Sequence, residues 1–137
     1  MSFLLDTNVI SEARKGAAAN RAVAEWFANA DPNQLFISVL VVGELRQGVE
    51  LAKRRDPVFG QKLERWLAVI VDRYEDRIVP IDQQTADLWG RLNVPNPLPV
   101  VDGLLAATAL AHDLTLVTRN TRQVAATGAR LLDPFRG

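Results

Sequence analysis

Cysteine is absent from this chain and histidine nearly so. Without cysteine there is no disulfide, iron–sulfur cluster, thiolate zinc site or cysteine nucleophile. The single histidine, His112, rules out a zinc site built on several imidazoles. It reads as the last residue of a helix, beside Asp113. No apolar run reaches the roughly 18–20 residues that span a bilayer. The first six residues, Met1 to Asp6, carry neither a basic region nor a long apolar core, which argues against a secretory signal and for a cytoplasmic location. Excess charge of one sign is missing too. The 16 basic residues balance 16 acidic ones, so a general polyanion-binding surface is not indicated. No repeat, low-complexity tract or interdomain linker interrupts the chain.

What is present is enough apolar residue for a core: 48% of 137 residues. That length favours one domain over residues 1–137. Phe3 to Asp6 reads as a short buried strand, and Val9 to Lys15 as one or two helical turns after a Thr7-Asn8 turn. Ala22, Val23, Trp26, Phe27 and Ala30 recur at three- and four-residue steps, the mark of an amphipathic helix. Leu35 to Val39 reads as a second strand. Ser38 then caps a helix that runs to about Arg55, and Asp56-Pro57 breaks it and opens another. Ile78 to Ile81 is a third strand, and Asp82 caps a helix over 83–92. A helix from about Asp102 to His112 leads into a fourth strand, Leu114 to Thr118. Arg119 to Gly128 holds a short helix, and Ala129 to Leu132 forms a fifth strand. Alternating strands and helices predict an α/β fold with a mostly parallel central sheet.

Three acids stand beside apolar segments in this pattern: Asp6, Glu44 and Asp102. Taken singly, Asp102 fits a first-turn helix acid, Glu44 a solvent-facing or arginine-paired helix residue, and Asp6 an Asx-type turn. As a set they carry more weight. Ligands of open parallel sheets bind beyond the carboxyl ends of the strands. Asp6 ends the first strand, Glu44 lies about a turn past the second, and Asn120 follows the fourth. Asp102 starts the helix that leads into that fourth strand. Clustered carboxylates need shared protons or a cation. An oxygen-only donor set suits Mg²⁺ or Mn²⁺, and Mg²⁺ commonly completes its shell with substrate phosphate. Arginine supplies 13 of the 16 basic residues, and its fork suits phosphate. Arg46, Arg119 and Arg122 are candidate phosphate contacts, each also readable as a surface or ion-pairing residue.

Four segments resemble the PIN domain, in particular the FitB-like branch of the VapC toxins of bacterial toxin–antitoxin pairs. They are Leu4-Leu5-Asp6-Thr7-Asn8, the run from Ser38 to Gly48 that contains Gly43-Glu44-Leu45, Asp102 with Gly103 to Ala109, and Leu116-Val117-Thr118-Arg119-Asn120. The resemblance spans nearly the whole chain. It implies a PIN-like three-layer α/β/α sandwich and a metal-dependent endoribonuclease that leaves a 5′-phosphate and a 3′-hydroxyl. It carries over Asp6, Glu44 and Asp102 as the acidic metal cluster, with Mg²⁺ as the cofactor and Mn²⁺ as a substitute. Thr7 would support the site through its hydroxyl. Asn120 stands where the family often has a fourth acid, and Gln123-Val124 replaces a frequent Asp-Phe. One well-held metal is therefore expected, with a second recruited by RNA. The implied partners are an RNA substrate, a cognate antitoxin and a second copy in a homodimer, with no membrane.

Rival readings remain at this point. A haloacid-dehalogenase-type phosphatase also opens on a strand ending in Asp, but it needs a second Asp where this chain has Asn8. A PIN-like protein that binds RNA or a partner without cutting is kept alive by Asn120. A DNA nuclease of the wider superfamily is disfavoured by the short chain.

Overall fold

A computed structural model of the chain describes residues 1–136. The elements follow as β1 (Phe3–Leu5), α1 (Thr7–Ala13), α2 (Arg21–Asn29), β2 (Leu35–Ser38), α3 (Val39–Arg55) and α4 (Pro57–Arg73). Then come β3 (Ile78–Val79), α5 (Gln83–Leu92), α6 (Val100–Ala111), β4 (Thr115–Val117), α7 (Thr121–Val124) and β5 (Leu131–Leu132). The five strands form one sheet in the order β3-β2-β1-β4-β5, and every pairing is parallel rather than mostly so.

The strands are short and apolar because the sheet is covered on both faces by helices, as parallel sheets are. Leu4, Leu5, Ile37, Leu116 and Val117 are all buried, and Leu105 of α6 packs with them. Burying each such side chain contributes about 1.5–3 kcal/mol before conformational entropy is set against it. Phe3 adds an edge-to-face contact with Trp26 of α2 at 5.2 Å.

Helix starts follow the side chains that can accept an orphan backbone N–H. Ser38 accepts from Leu40, Asp56 from Phe59 and Asp82 from Thr85. Two starts differ from the sequence reading. α1 begins at Thr7, not Val9, because Asp6 itself serves as the N-cap and accepts from the Thr7 amide. α6 begins at Val100, which moves Asp102 from the helix start into the first turn. A helix whose N-cap is Pro99 lacks a side-chain cap, so an acid in that turn is favoured by the helix dipole.

The sheet order matters for the site. The chain builds outward from β1 through β2 to β3, then returns to lay β4 on the other side of β1. Connections therefore leave β1 and β4 in opposite directions, which makes their carboxyl ends the switch point where ligands of such sheets bind. Leu5 and Val117 are register partners there, so the residues that follow them, Asp6 and Thr118, emerge side by side. No helix among the described residues is long and apolar enough to cross a membrane.

Candidate functional site

Asp6 is buried, with 5% of its surface exposed. Its backbone amide continues the sheet by donating to the Val117 carbonyl at 2.9 Å. One carboxylate oxygen accepts from the Thr7 amide at 2.7 Å. The other accepts from the Thr118 hydroxyl at 2.7 Å and from the Asn8 side-chain amide at 3.3 Å. Burial nevertheless pushes the Asp6 carboxyl above its ordinary value. The bonds from Thr118 and Thr7 oppose that shift, and the negative charges of Asp102 and Glu44 add to it.

Glu44 lies on α3, half-buried, and the Thr7 hydroxyl donates to its Oε1 at 2.6 Å. Thr7 thus ties the acid of α3 to the turn that carries Asp6. Asp102, also half-buried, comes to the site on α6. The following residue, Gly103, lets α6 pack closely on α5. A Cβ on Gly103 would lie 3.2 Å from Leu98 and 3.3 Å from Trp89 of α5, tighter than ordinary packing. Asn120 is half-buried and holds the N-cap position of α7, where its side chain makes no capping bond. Its backbone amide donates to the Thr118 hydroxyl at 3.0 Å.

Among the described residues, no lysine, arginine or histidine forms an ion pair with Asp6, Glu44 or Asp102. Nor do any three acidic or histidine side chains of the described residues close into a ready metal cage. The arrangement is a set of acids whose charges reach Asp6 without drawing in to ligand spacing. Uncompensated carboxylates repel, so a gap between them is the expected resting geometry. This donor set suits a hard cation that keeps several waters and takes one or two carboxylates. It does not suit a dehydrated ion needing an all-protein cage.

Two residues at this site escaped the sequence reading as partners of Asp6. Thr118 bonds it across 112 positions. Asn8 bonds it and also accepts from the Arg119 amide at 3.3 Å, tying the loop after β4 to the start of α1. The available signal was a threonine and an asparagine just past strands at a switch point. Of the arginines considered for phosphate binding, Arg46 is already engaged. Its guanidinium forks onto Glu64 of α4 at 2.8 and 2.7 Å and also reaches Glu50 at 3.2 Å. Those bonds from Arg46, with Lys53 behind them, hold the Glu64 carboxyl down at about 2. Arg119 lies over the Phe135 ring at 4.6 Å, while Arg122 is exposed. His112 ends α6 as its C-cap, with Nε2 3.7 Å from an Asp82 oxygen and no part in the acid cluster.

The Thr118 hydroxyl supports a buried carboxylate and a backbone amide together. Thr118→Val keeps the shape and removes both bonds. A hydrogen bond to a charged group is worth about 1.5–3 kcal/mol, so thermal unfolding should show a loss of that order. Any activity that depends on Asp6 should fall about 10–100-fold, as it does when a metal ligand loses its outer support. A variant as stable and active as the parent would show that Thr118 only fills space.

The PIN domain family model matches residues 3–128. The toxin FitB of Neisseria gonorrhoeae is 32% identical to this chain over 140 residues, covering 97% of the chain and 98% of FitB. VapC ribonuclease Y4jK of Sinorhizobium fredii is 33% identical over 140 residues, covering 97% of each protein. Among solved structures, the crystal structure of FitAcB from Neisseria gonorrhoeae matches with a TM-score of 0.83 at 30% identity, over 98% of this chain and 99% of that one. With its five-stranded parallel sheet and the acid at its switch point, the chain belongs to the PIN-domain family, in the company of the VapC and FitB toxins.

Proposed function

We propose that this protein is a Mg²⁺-dependent endoribonuclease that acts as the toxin of a toxin–antitoxin pair, its residues 1–137 forming one catalytic unit. The observation that carries the reading is the buried Asp6 at the switch point. It feels the charges of Glu44 and Asp102, and no basic side chain of the described residues pairs with it. Relatives named as a ribonuclease and a toxin over almost their full length support it.

In this reading Asp6 and Asp102 hold Mg²⁺, with Mn²⁺ able to substitute. The ion, when bound, supplies charge stabilisation at the phosphate and lowers the pKa of water. The chain's own residues do the rest. Thr7 fixes Glu44 through Oε1, which leaves the other oxygen to take a proton from the attacking water. Thr118 and the Thr7 amide hold Asp6 in one rotamer, so its remaining lone pairs point to a fixed place. Asn120 orients a water or the substrate without adding charge. Toxin activity implies a neutralising antitoxin as partner and a cytoplasmic RNA target. A homodimer belongs to the same proposal and is checked by light scattering on the purified protein.

The test is cleavage of a mixed-sequence RNA. Mg²⁺ and Mn²⁺ should each support it, EDTA should abolish it, and Asp102→Asn should lower it at least about 100-fold, more than loss of an outer-sphere partner costs. Equal cleavage by Asp102→Asn and the parent would point to a contaminating nuclease and sink the assignment. The neutral Asn120 favours one alternative, a protein that binds RNA or a partner but scarcely cuts it. RNA retained intact by the parent in Mg²⁺ would decide for that alternative.

A further inference from the structure

Glu44 and Thr7, the residue after Asp6, border a groove that runs between α1, α3 and α4. It encloses about 240 Å³, and Thr7, Ser11, Arg14, Glu44, Gly48 and Trp66 are among the residues that line it. Thr7, Ser11 and Arg14 stand at four- and three-residue steps on α1 and its C-cap, so they share one helix face. Seven residues of helix separate Thr7 from Arg14 by about 10 Å along the axis.

The two ends of this groove differ in charge. At the Thr7 end stands Glu44. At the other end the Arg14 guanidinium lies 5.6 Å from the centre of the Phe59 ring and 5.9 Å from that of Trp66, both on α4. Both distances fall within cation–π range. No carboxylate of the described residues pairs with Arg14. This sets it apart from Arg46 on the neighbouring helix, whose fork is taken by Glu64. Two aromatic rings locate the Arg14 guanidinium without using its N–H donors. A located fork with free donors is a receptor for an oxyanion.

We propose that Arg14 is a substrate-binding residue that grips a backbone phosphate of the RNA strand beyond the one cleaved, with Phe59 and Trp66 as its platform. The proposal rests on the ribonuclease reading. A phosphodiester chain offers one repeating group to both places, a phosphate beside the acids, where Asp6 and Asp102 would hold the cation, and another at Arg14. A protein segment would need opposite charges at a set spacing. Arg14 also borders an apolar cleft of about 440 Å³ with Ile10, Phe27 and Tyr74, so pairing with an acidic side chain of a protein partner is the competing outcome.

Salt dependence of RNA binding separates the two. The probe is a fluorescein-labelled single-stranded RNA decamer, titrated in Mg²⁺ at several salt concentrations. All proteins carry Asp102→Asn, so that the probe is not consumed. Adding Arg14→Gln should weaken binding and flatten the slope of log K against log salt by about 0.7, the value for one phosphate contact on a single strand. Arg14→Lys should restore the slope, because the charge returns. Cooperative melting shows that each variant is folded. An unchanged slope in Arg14→Gln, with the Asp102→Asn parent binding RNA, overturns the proposal and assigns Arg14 to a protein partner. No RNA binding by that parent at any salt, together with no cleavage by the wild-type protein, overturns the ribonuclease reading and this inference with it.

Discussion

Asp6→Asn should abolish RNA cleavage and, in the absence of metal, make the protein more stable. The two effects share one origin. Asp6 is buried, and the charges of Asp102 and Glu44 bear on it, so its ionised form is disfavoured in the fold. Asparagine has the same shape and no charge. It keeps an oxygen for the Thr7 amide, while the Thr118 hydroxyl, a donor toward Asp6, can turn and accept. The weak bond from Asn8 is lost, but at 3.3 Å it is the longest of the set. Relief of desolvation and repulsion outweighs it. Cleavage should fall by more than the 10–100-fold that loss of an outer-sphere partner costs. Mg²⁺ should raise the melting temperature of the wild-type protein, by the equivalent of about 1.4 kcal/mol at ten times its Kd, and should leave Asp6→Asn unmoved. A variant that still gained stability from Mg²⁺ would place the ion elsewhere.

The pH dependence has a definite sign. A carboxyl whose pKa is raised in the fold contributes stability while it is protonated. That contribution is complete below the ordinary aspartate value of about 4 and is lost as pH rises through the raised value. In EDTA, the wild-type protein and Asp6→Asn should therefore melt closest together in acid. The variant should pull ahead as the pH climbs from about 4 toward neutrality. With saturating Mg²⁺ the wild-type protein should recover the difference, because a bound cation favours the charged carboxylate. Melting curves that stay parallel over this range would mean that Asp6 ionises at no cost.

Which features were legible in the sequence follows from the range over which each is determined. Local chemistry was readable. Ser38 and Asp82 announced helix starts through their capping side chains, and the Asp56-Pro57 break separates α3 from α4 as read. The strands were found within a residue or two because short β-branched and apolar runs between turn residues have few other uses. Asp6 as the cap of α1 escapes the sequence reading, which gives Asp6 an Asx-type turn and leaves Thr7-Asn8 as the turn that precedes the helix. Contacts set by topology were out of reach. That Thr118 meets Asp6 depends on β4 returning beside β1. The resemblance implies a supporting bond from the Thr7 hydroxyl, but that its partner is Glu44 depends on how α3 leaves β2. Arg46 shows the same limit from the other side. Its partner Glu50, four residues on, could be read from helical spacing, but Glu64 faces it only because α3 and α4 fold back on one another.

That fold-back depends on a glycine, and Gly60→Ala should destabilise the protein by about 1–3 kcal/mol, the usual penalty for overpacking. Helix propensity argues for the opposite. Gly60 lies inside α4, where alanine would ordinarily gain about 1 kcal/mol. Space decides it. A Cβ on Gly60 would lie 2.6 Å from the Lys53 Cα and 2.7 Å from the Lys53 backbone nitrogen on α3. Backbone cannot swing aside as a side-chain tip can, so the two helices must separate. Gly48, in the interior of α3, supplies the control, since nothing lies within 4 Å of a Cβ placed there. Gly48→Ala should therefore stabilise by roughly 0.5–1 kcal/mol. Opposite signs in urea unfolding would establish that close helix contact, not glycine content, is what matters. Equal signs would sink the argument. The consequence reaches the groove between Glu44 and Arg14, because Glu44 rides on α3 and Trp66 on α4, and both line it. Pushing α4 off α3 widens that groove, so Gly60→Ala should raise the KM for RNA more than it lowers kcat, even under conditions where the variant remains folded.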